Sequence, residues 1–290
     1  MDSRLTDDRP KMQVSGAEKG WRAALDLVCE RRGAKTCLTR NLHEGPLVVQ
    51  KALYPEGESL CHAVLIHPPG GIAGGDQLTI GVSLGEESEA LLTTPGATRY
   101  YRSAKDPAVQ AVNLVLSNRA KLEWLPQETI VFRGALARQR MTVELGERAT
   151  YLGQDIVCLG RRASGETMHE GSFSQRSSIR RSGKLLWRDG FDFDARTGVL
   201  EACAGLGGFS VYATMALADE RASPVWLTAV RAILSETGGR SAATLLPGVL
   251  IVRHLGDSAE QARLVFLKAW EVLRPLAFDR PARLPRIWNT

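Results

Sequence analysis

The sequence lacks the long apolar segments that membrane-spanning and exported proteins carry. It has no run of about 18 apolar residues, and its most apolar stretch, LLPGVLIV at 245–252, is short and interrupted by Pro247 and Gly248. The N-terminus, MDSRLTDDRPKMQVSGAEKG, contains no apolar block of the secretory type. We therefore expect no membrane partner, no export and a cytoplasmic location.

Cysteine is also scarce and lacks the spacing of a metal or redox motif. The five cysteines lie at positions 29, 37, 61, 158 and 203, and no two of them form a CxxC pair. An odd number of scattered cysteines is typical of reduced thiols in a cytosolic protein rather than of a disulfide framework.

Long runs of one charge sign are missing as well, although the formal net charge is +5. The densest basic stretches are RSSIRRSGK at 176–184 and LARQR at 136–140. A nucleic-acid binder usually has a concentrated basic face interleaved with aromatic residues. We expect no nucleic-acid partner, and the charge fits an acidic protein partner or no particular partner equally well.

Alternating apolar residues dominate from Trp21 to about residue 215 and predict β-strands. Every second residue is apolar in four segments, which predicts that one face of each strand points inward: Leu78–Leu84, Val112–Leu116, Met141–Leu145 and Phe191–Phe193. Turn-like segments follow at short intervals, at 55–58, 117–120, 145–148 and 181–184. The pattern predicts a mainly β protein with many, largely antiparallel strands.

The C-terminal third predicts two α-helices. The first begins with Ser223 as N-cap and Pro224 at the first position, and we expect it to stop at Gly238. The second begins with a capping box of Ser258 and Gln261 and is expected to end at Pro275. Its apolar stripe consists of Ala262, Phe266, Ala269, Trp270 and Leu273. We expect residues 1–18 to be a disordered N-terminal segment and residues 19–290 to form a single domain.

The glycine-rich stretch HPPGGIAGGDQLTI, at 67–80, partly matches a phosphate-binding loop. Gly70 and Gly75 have the required GxxxxG spacing, but Asp76 and Gln77 follow where Lys and Ser or Thr belong. A carboxylate at that place repels phosphate, and the next segment reads as a strand rather than a helix. We interpret the stretch as a rigid, tightly turned crossing between strands.

Two other motifs suggest catalysis or metal binding only weakly. GVSLG at 81–85 matches the nucleophile elbow, but Ser83 lies inside an alternating strand with no helix after it. In CHAVLIH, alternation puts Cys61 and His67 on one face and His62 on the other, which gives no tetrahedral zinc spacing. We expect no catalytic residue and no permanently bound cofactor or metal, while a weakly held ion in transit remains compatible with the sequence.

Several ordered segments together resemble one family, the urease accessory proteins of the UreD type, also called UreH. The matching segments are HPPGGIAGGDQL (67–78), TTPGATRYYRS (93–103), LEWLPQETIVF (122–132), CLGRRASGE (158–166), the Trp270 to Pro275 segment and PRIWNT (285–290). The resemblance runs from about residue 19 to the last residue.

This resemblance implies a non-enzymatic maturation factor. It implies a scaffold that binds apo-urease and the accessory protein UreF, and through UreF the GTPase UreG, and that helps to deliver nickel to the urease active site. It also implies a two-layered, β-helix-like fold with two helices, in agreement with the strand and helix patterns.

The resemblance further implies a polar internal path for nickel, with Asp76 and Asp155 as candidate metal-path residues. The other residues of the family motifs are His67, Gly70, Gly71, Gly74, Gly75, Thr98, Arg102, Glu123, Glu128, Arg161 and Glu166. Nickel accepts oxygen and imidazole ligands, but buried charges are normally paired, so for any single acid a buried carboxylate paired with an arginine is the favoured interpretation. Arg102 and Arg161 are better interpreted as partners of such acids. The resemblance also implies a further acid, at a position where this sequence has Arg188 with Asp189 beside it.

Two functions of other classes remain as alternatives. One is a hydrolase that uses Ser83 or a Cys/His pair, and the other is a basic nucleic-acid-binding protein that uses residues 176–184.

Overall fold

A computed structural model of the protein describes residues 20–237 and 240–289. The elements, in chain order, are β1 (Arg22–Arg32), β2 (Lys35–Glu44), β3 (Val48–Leu53), β4 (Leu60–Ile66), β5 (Gln77–Leu84), β6 (Glu89–Thr93), β7 (Thr98–Tyr100), β8 (Ala108–Leu116), β9 (Lys121–Leu125), β10 (Thr129–Val131), β11 (Leu136–Leu145), β12 (Thr150–Leu159), β13 (Ser172–Arg181), β14 (Lys184–Asp194), β15 (Val211–Ala218), α1 (Pro224–Leu234), β16 (Arg240–Leu246), β17 (Val249–Gly256) and α2 (Ala259–Phe278). The N-terminal segment 1–18, expected to be disordered, lies outside the described residues.

The strands form two stacked sheets, and the chain passes repeatedly from one to the other. Sheet A has seven strands in the order β14-β13-β11-β8-β5-β1-β2. Sheet B has ten strands, with the main order β16-β17-β15-β12-β9-β6-β4-β3, and β7 and β10 pair beside β12. From β4 to β13 the chain coils between the sheets, so the mainly β, two-layered and β-helix-like prediction is confirmed.

The predicted antiparallel pairing is wrong for the centre of both sheets. In sheet A the strands β1, β5, β8, β11 and β13 pair in parallel, and in sheet B so do β4, β6, β9 and β12. In sheet A the antiparallel pairs are the two at the edges, β1–β2 and β13–β14. In sheet B they are β3–β4 and the run from β12 through β15 and β17 to β16. The turns at 117–120 and 145–148 connect strands in opposite sheets, not the two arms of a hairpin.

Two apolar cores result from this layering. The larger core lies between the sheets and contains the inward residues of the predicted strands, including Ile80, Leu114 and Val143. The smaller one lies between the outer face of sheet B and the helices, and contains Val230, Phe266 and Trp270. Sheet B is therefore covered on both faces.

Both predicted helices are present, with a correction at the end of each. In α1 the N-cap is Ser223 and Pro224 follows it, but the helix already ends at Leu234, and the expected stop at Gly238 lies outside the described residues. In α2, Ser258 accepts a hydrogen bond from the Gln261 backbone N–H, as expected for the capping box. None of the helices in the described part of the chain is both long and apolar enough to cross a membrane.

The expected stop of α2 at Pro275 is wrong, because the helix continues to Phe278. Proline removes one helical hydrogen bond and disfavours a helical conformation in the residue before it. Burial of Ala277 and Phe278 against sheet B stabilises the last turn. The helix ends at Asp279, which adopts a left-handed conformation with φ 58°.

A buried ionic network attaches α2 to the sheets. Arg274 is fully buried and donates to Glu123 at 3.0 Å and to Glu56 at 2.8 Å. Glu123 also accepts the Trp270 indole N–H at 2.6 Å, and Glu56 lies 3.1 Å from the His62 ring. Burial works to raise the pKa of Glu56, but hydrogen bonds from His62 and Arg274 outweigh it and hold the pKa at about 2.

We predict that Arg274→Leu destabilises the protein by about 3–5 kcal/mol, because two buried carboxylates lose their shared cation. The free energy of unfolding in urea measures the effect. Arg263→Leu is the matched control, since Arg263 lies on the same helix but is 46% exposed, and it should cost less than about 1 kcal/mol. Equal effects of the two substitutions would show that the network does not stabilise the fold.

Candidate functional site

An internal cavity of about 240 Å³ lies between the two sheets. Sheet A contributes inward side chains of β5, β8 and β11, and sheet B contributes residues of β4, β7, β9, β10 and β12. The loops at 67–72 and 94–99 form one end, where the exposed residues Pro95, Gly96 and Arg99 line it. The cavity therefore reaches from the protein surface into the space between the layers.

Three glutamines form a row along the inner face of sheet A. Gln110, Gln139 and Gln175 are direct neighbours in register on β8, β11 and β13. The first two line the internal cavity, while Gln175 lines a small chamber of about 20 Å³ beside it. The Oε1 atom of Gln139 is buried and has no hydrogen-bond partner.

Asp155 of β12 lies where the cavity and the small chamber meet, since it lines both. Its Oδ1 accepts a hydrogen bond from the Gln139 side chain at 3.1 Å. Burial raises the pKa of this carboxyl to about 7; the Gln139 hydrogen bond opposes that shift and the nearby charge of Asp189 adds to it. Of the two candidate metal-path acids, Asp155 is the one that faces the cavity.

The small chamber lies beside Asp155, on the side away from His67 and the glycine-rich crossing, which line only the cavity. Its lining includes Asp189 of β14 and Thr214 of β15. Asp189 is partly exposed and forms an ion pair with Arg253 at 2.9 Å. A chamber of about 20 Å³ has room for about one water molecule, so the passage narrows sharply at Asp155.

His67 and the glycine-rich crossing border the opposite end of the cavity. His67 follows β4, is half-buried and lines the cavity. Burial lowers its pKa, against the opposing charge of Asp76, so the imidazole is neutral near pH 7. Gly70 has φ +74°, and a Cβ on Gly71 would lie 2.2 Å from the Tyr101 ring, so only glycine fits at these two positions. Gly74 and Gly75 lie outside the cavity, against Ser103 and Gly20 respectively.

Asp76 is turned away from the cavity lining and binds backbone amides. Its Oδ1 accepts the Trp21 N–H at 2.7 Å, and its Oδ2 accepts the Ala73 N–H at 2.8 Å. The Asp76 residue is only 8% exposed. Its two carboxylate oxygens accept hydrogen bonds from two different segments, so the side chain connects the glycine-rich crossing to the residue before β1. This geometry favours a structural role, neither the metal ligand nor the arginine partner suggested by the sequence.

The other motif residues divide between the cavity and the ion pairs. Thr98 of β7 lines the cavity. Arg161 pairs with the motif acid Glu166 at 2.7 Å, as interpreted from the sequence. Arg102 pairs at 3.0 Å with Glu170, an exposed acid outside the family motifs.

Glu123 belongs to the Arg274 network and not to the cavity. Glu128 is 18% exposed and lies 3.8 Å from Arg263, and its Oε2 has no hydrogen-bond partner. Neither acid faces the passage between the sheets.

The residues of the alternative hydrolase site are not arranged for catalysis. Ser83 lies within β5, between Val28 and Val115 of the neighbouring strands, and β6 follows, so there is no strand-to-helix elbow. His62 lies against Glu56, on the face of β4 opposite Cys61. Across residues 20–237 and 240–289, no three His, Cys, Asp or Glu side chains come close enough to hold a metal ion.

Sequence reasoning missed the glutamine row and Arg99. A signal for the glutamines exists, because Gln110 and Gln139 occupy inward positions of strands whose other inward residues are apolar. A polar side chain at such a position requires a buried polar environment. The lateral alignment of the glutamines follows from the parallel register, which the alternation does not encode.

We predict that Asp155→Asn stabilises the protein at high pH. The folded pKa of about 7 exceeds the unfolded value of about 3.9, so the native state binds more protons between these values and stability falls as pH rises through that range. The neutral amide removes this penalty. The variant should therefore exceed the wild type by a few kcal/mol at about pH 8 and by much less at about pH 4.

Urea unfolding at both pH values measures this difference. Asp106→Asn is the control, since Asp106 is exposed and its substitution should have little effect at either pH. A destabilised Asp155→Asn protein at pH 8 would show that burial does not raise the pKa of this carboxyl.

We predict that Asp76→Asn destabilises the protein by about 1–3 kcal/mol, because one amide group replaces an oxygen that accepts a backbone N–H. Gln77→Ala, at the adjacent exposed position, should change stability by less than about 0.5 kcal/mol. Thermal unfolding compares the two. If Asp76→Asn is as stable as the wild type, this carboxylate has no structural role.

Comparison with known proteins gives a match to one protein family over most of the chain. The family described as "UreD urease accessory protein" matches residues 22–289. Proteins named urease accessory protein UreD are similar over nearly the full length of both chains. The protein of Dechloromonas aromatica (strain RCB) is 45% identical with 100% of both chains covered, and that of Azoarcus sp. (strain BH72) is 44% identical with 96% of this chain and 97% of the relative covered. That of Janthinobacterium sp. (strain Marseille) is 46% identical, with 92% and 91% covered.

The match extends through both sheets, the glycine-rich crossing and α2. With a family match over most of the sequence and relatives above 40% identity, the chain belongs to the UreD family of urease accessory proteins.

Proposed function

We propose that this chain is a urease maturation factor without catalytic activity of its own. It acts as a scaffold that binds apo-urease and UreF, and through UreF the GTPase UreG. Nickel is the cargo of the assembly and passes through the internal cavity between the sheets on its way to urease. Family membership supports the maturation role, and the geometry of the cavity supports the route.

The observation that carries the route is the position of Asp155. It is the acid at the junction of the cavity and the small chamber. The exposed Arg99 lies at one end of the passage, and the partly exposed Asp189 lies at the other. A cation that crosses between the sheets along this line has to pass Asp155.

The side chains along the passage suit nickel(II), which accepts imidazole and oxygen ligands. His67 offers a neutral imidazole, because burial lowers its pKa. Gln139 offers an oxygen that has no other partner, and Asp155 offers a carboxylate once its proton leaves. These groups lie at successive points of the passage and do not form one complete set of ligands. The ion is therefore bound weakly at each point and is released easily.

The proton on Asp155 gives the route a pH dependence. Since burial raises the pKa of this carboxyl to about 7, Asp155 exchanges its proton in the neutral pH range. A passing cation favours the carboxylate and displaces this proton. We therefore expect nickel transfer to fall as the pH is lowered from about 8 to about 6.

The test is nickel incorporation into apo-urease by a reconstituted assembly of UreF, UreG, GTP and this chain. Asp155→Asn should lower the nickel content of urease by about tenfold or more, since a neutral amide binds the cation more weakly. Complex formation with UreF and apo-urease, measured by size-exclusion chromatography, should be unchanged. Because this variant is expected to be more stable than the wild type at high pH, instability does not explain a loss.

Two controls separate the scaffold from the route. Asp106→Asn removes an exposed charge and should leave nickel transfer intact. Normal nickel loading with Asp155→Asn would refute the route while retaining the scaffold. Failure of the wild-type chain to bind either UreF or apo-urease would refute the scaffold itself.

A further inference from the structure

The outer face of sheet A is not covered by any helix in the described part of the chain. Both helices pack on sheet B, where α1 contacts β16 and α2 contacts β12, β15 and β17. The outer face of sheet A therefore presents the outward side chains of β5, β8, β11, β13 and β14 to solvent.

The two basic stretches of the sequence meet on this face. LARQR lies on β11 and RSSIRRSGK begins on β13, and these strands are direct neighbours in parallel register. Their outward arginines, with one from β14, form a cluster that we call the arginine face. It consists of Arg138, Arg140, Arg176, Arg180 and Arg188.

This cluster has fewer acids than arginines. Asp192 pairs with Arg176 at 2.5 Å, and Glu144 lies 3.7 Å from Arg180. Arg138, Arg140 and Arg188 are exposed and have no ion pair among the described residues. The arginine face thus has an excess of three positive charges.

The register also places like charges beside each other. Arg140 on β11 is the direct lateral neighbour of Arg176 on β13. Like charges at such positions reduce the stability of a sheet, and Asp192 is the one acid among the described residues that forms an ion pair with either of these two arginines. An anionic surface bound against the sheet would offset the repulsion directly.

The shape and composition of the face favour an acidic protein surface over a nucleic acid. The aromatic residues of β8, β11, β13 and β14 are turned inward: Phe173, Trp187 and Phe193 are buried, and Phe191 packs on the Tyr212 ring at 4.2 Å. The outward positions of these four strands therefore present no aromatic ring for bases to stack on. A face of seven strands is also too broad to enter the major groove, which admits a helix or a two-stranded ribbon. Glu144 and Asp192 would face phosphates unfavourably but can pair with basic residues at the edge of a protein partner.

The face is large enough for a specific protein interface. Seven strands spaced about 4.8 Å apart and about 30 Å long present about 1,000 Å², whereas a standard interface buries about 800 Å² on each partner. Exposed Val115 and Leu185 contribute apolar contact area around the arginine face.

We propose that the outer face of sheet A, centred on the arginine face, is the docking surface for an acidic surface of a protein partner in the maturation assembly. This inference rests on the proposed scaffold function and names the surface that performs it. Charge complementarity recognises the partner, and binding weakens with salt.

The test compares Arg138→Glu/Arg140→Glu with the wild type in binding to purified UreF and to purified apo-urease. Biolayer interferometry at about 50 and about 300 mM salt measures affinity and its salt dependence. The double variant should bind one of the two partners about tenfold more weakly or worse at low salt, with a flatter salt dependence. Thermal unfolding should be unchanged, because both side chains are exposed and unpaired.

Lys51→Glu/Arg283→Glu is the matched control. It changes the net charge equally at two exposed positions outside sheet A, and it should bind both partners like the wild type. If the arginine variant also binds both partners normally, the docking surface is refuted while the scaffold function stands. If the wild type binds neither partner, the scaffold function is refuted and the docking surface with it.

A short duplex DNA serves as the competing probe. The proposal would be overturned in favour of a nucleic acid by the following combination of results. The wild type binds this DNA with micromolar affinity, the arginine variant does not bind it, and both proteins bind UreF and apo-urease equally well.

Discussion

The parallel coil of the chain between two sheets is the constraint on which the other features depend. Each turn places its strand beside the strand of the previous turn, so equivalent residues of successive turns become lateral neighbours. The same register aligns Gln110, Gln139 and Gln175 inside the molecule and brings Arg140 beside Arg176 outside it. A shift of one residue in β11 would exchange its inward and outward side chains, and the passage and the arginine face would be lost together.

Much of the secondary structure could be predicted from alternation, because inward positions are apolar over long segments. Leu78–Leu84 and Met141–Leu145 are such segments, and both lie in strands. The predicted antiparallel direction of the central strands was wrong, because alternation shows which side of a strand is buried but not which strand lies beside it. The turn at 181–184 connects a hairpin, whereas the similar turn at 145–148 crosses between sheets. The two turns differ in whether the next strand joins the same sheet or the opposite one. That choice depends on packing against residues far away in the sequence.

The candidate site was predicted only in part. Asp155 was identified through family resemblance, since no local spacing distinguishes it from other acids, and its altered pKa comes from burial that only the assembled sheets provide. Asp76 came from the same resemblance, yet its carboxylate binds the amides of Trp21 and Ala73. The partner of an acid 55 positions away in the chain cannot be inferred from the residues around it.

The buried network around Arg274 has a consequence for biosynthesis. Its partner Glu56 lies 218 positions earlier in the chain. A ribosome adding about 5–20 residues per second takes roughly ten seconds or more to cover that distance. Until Arg274 has been made, Glu56 and Glu123 lack the arginine that pairs with both of them, and sheet B has no α2 to cover its outer face. The last helix to be made thus supplies both the cation for two buried acids and the cover for the apolar outer face of sheet B, so the packing of this half of the protein is completed only at the end of synthesis.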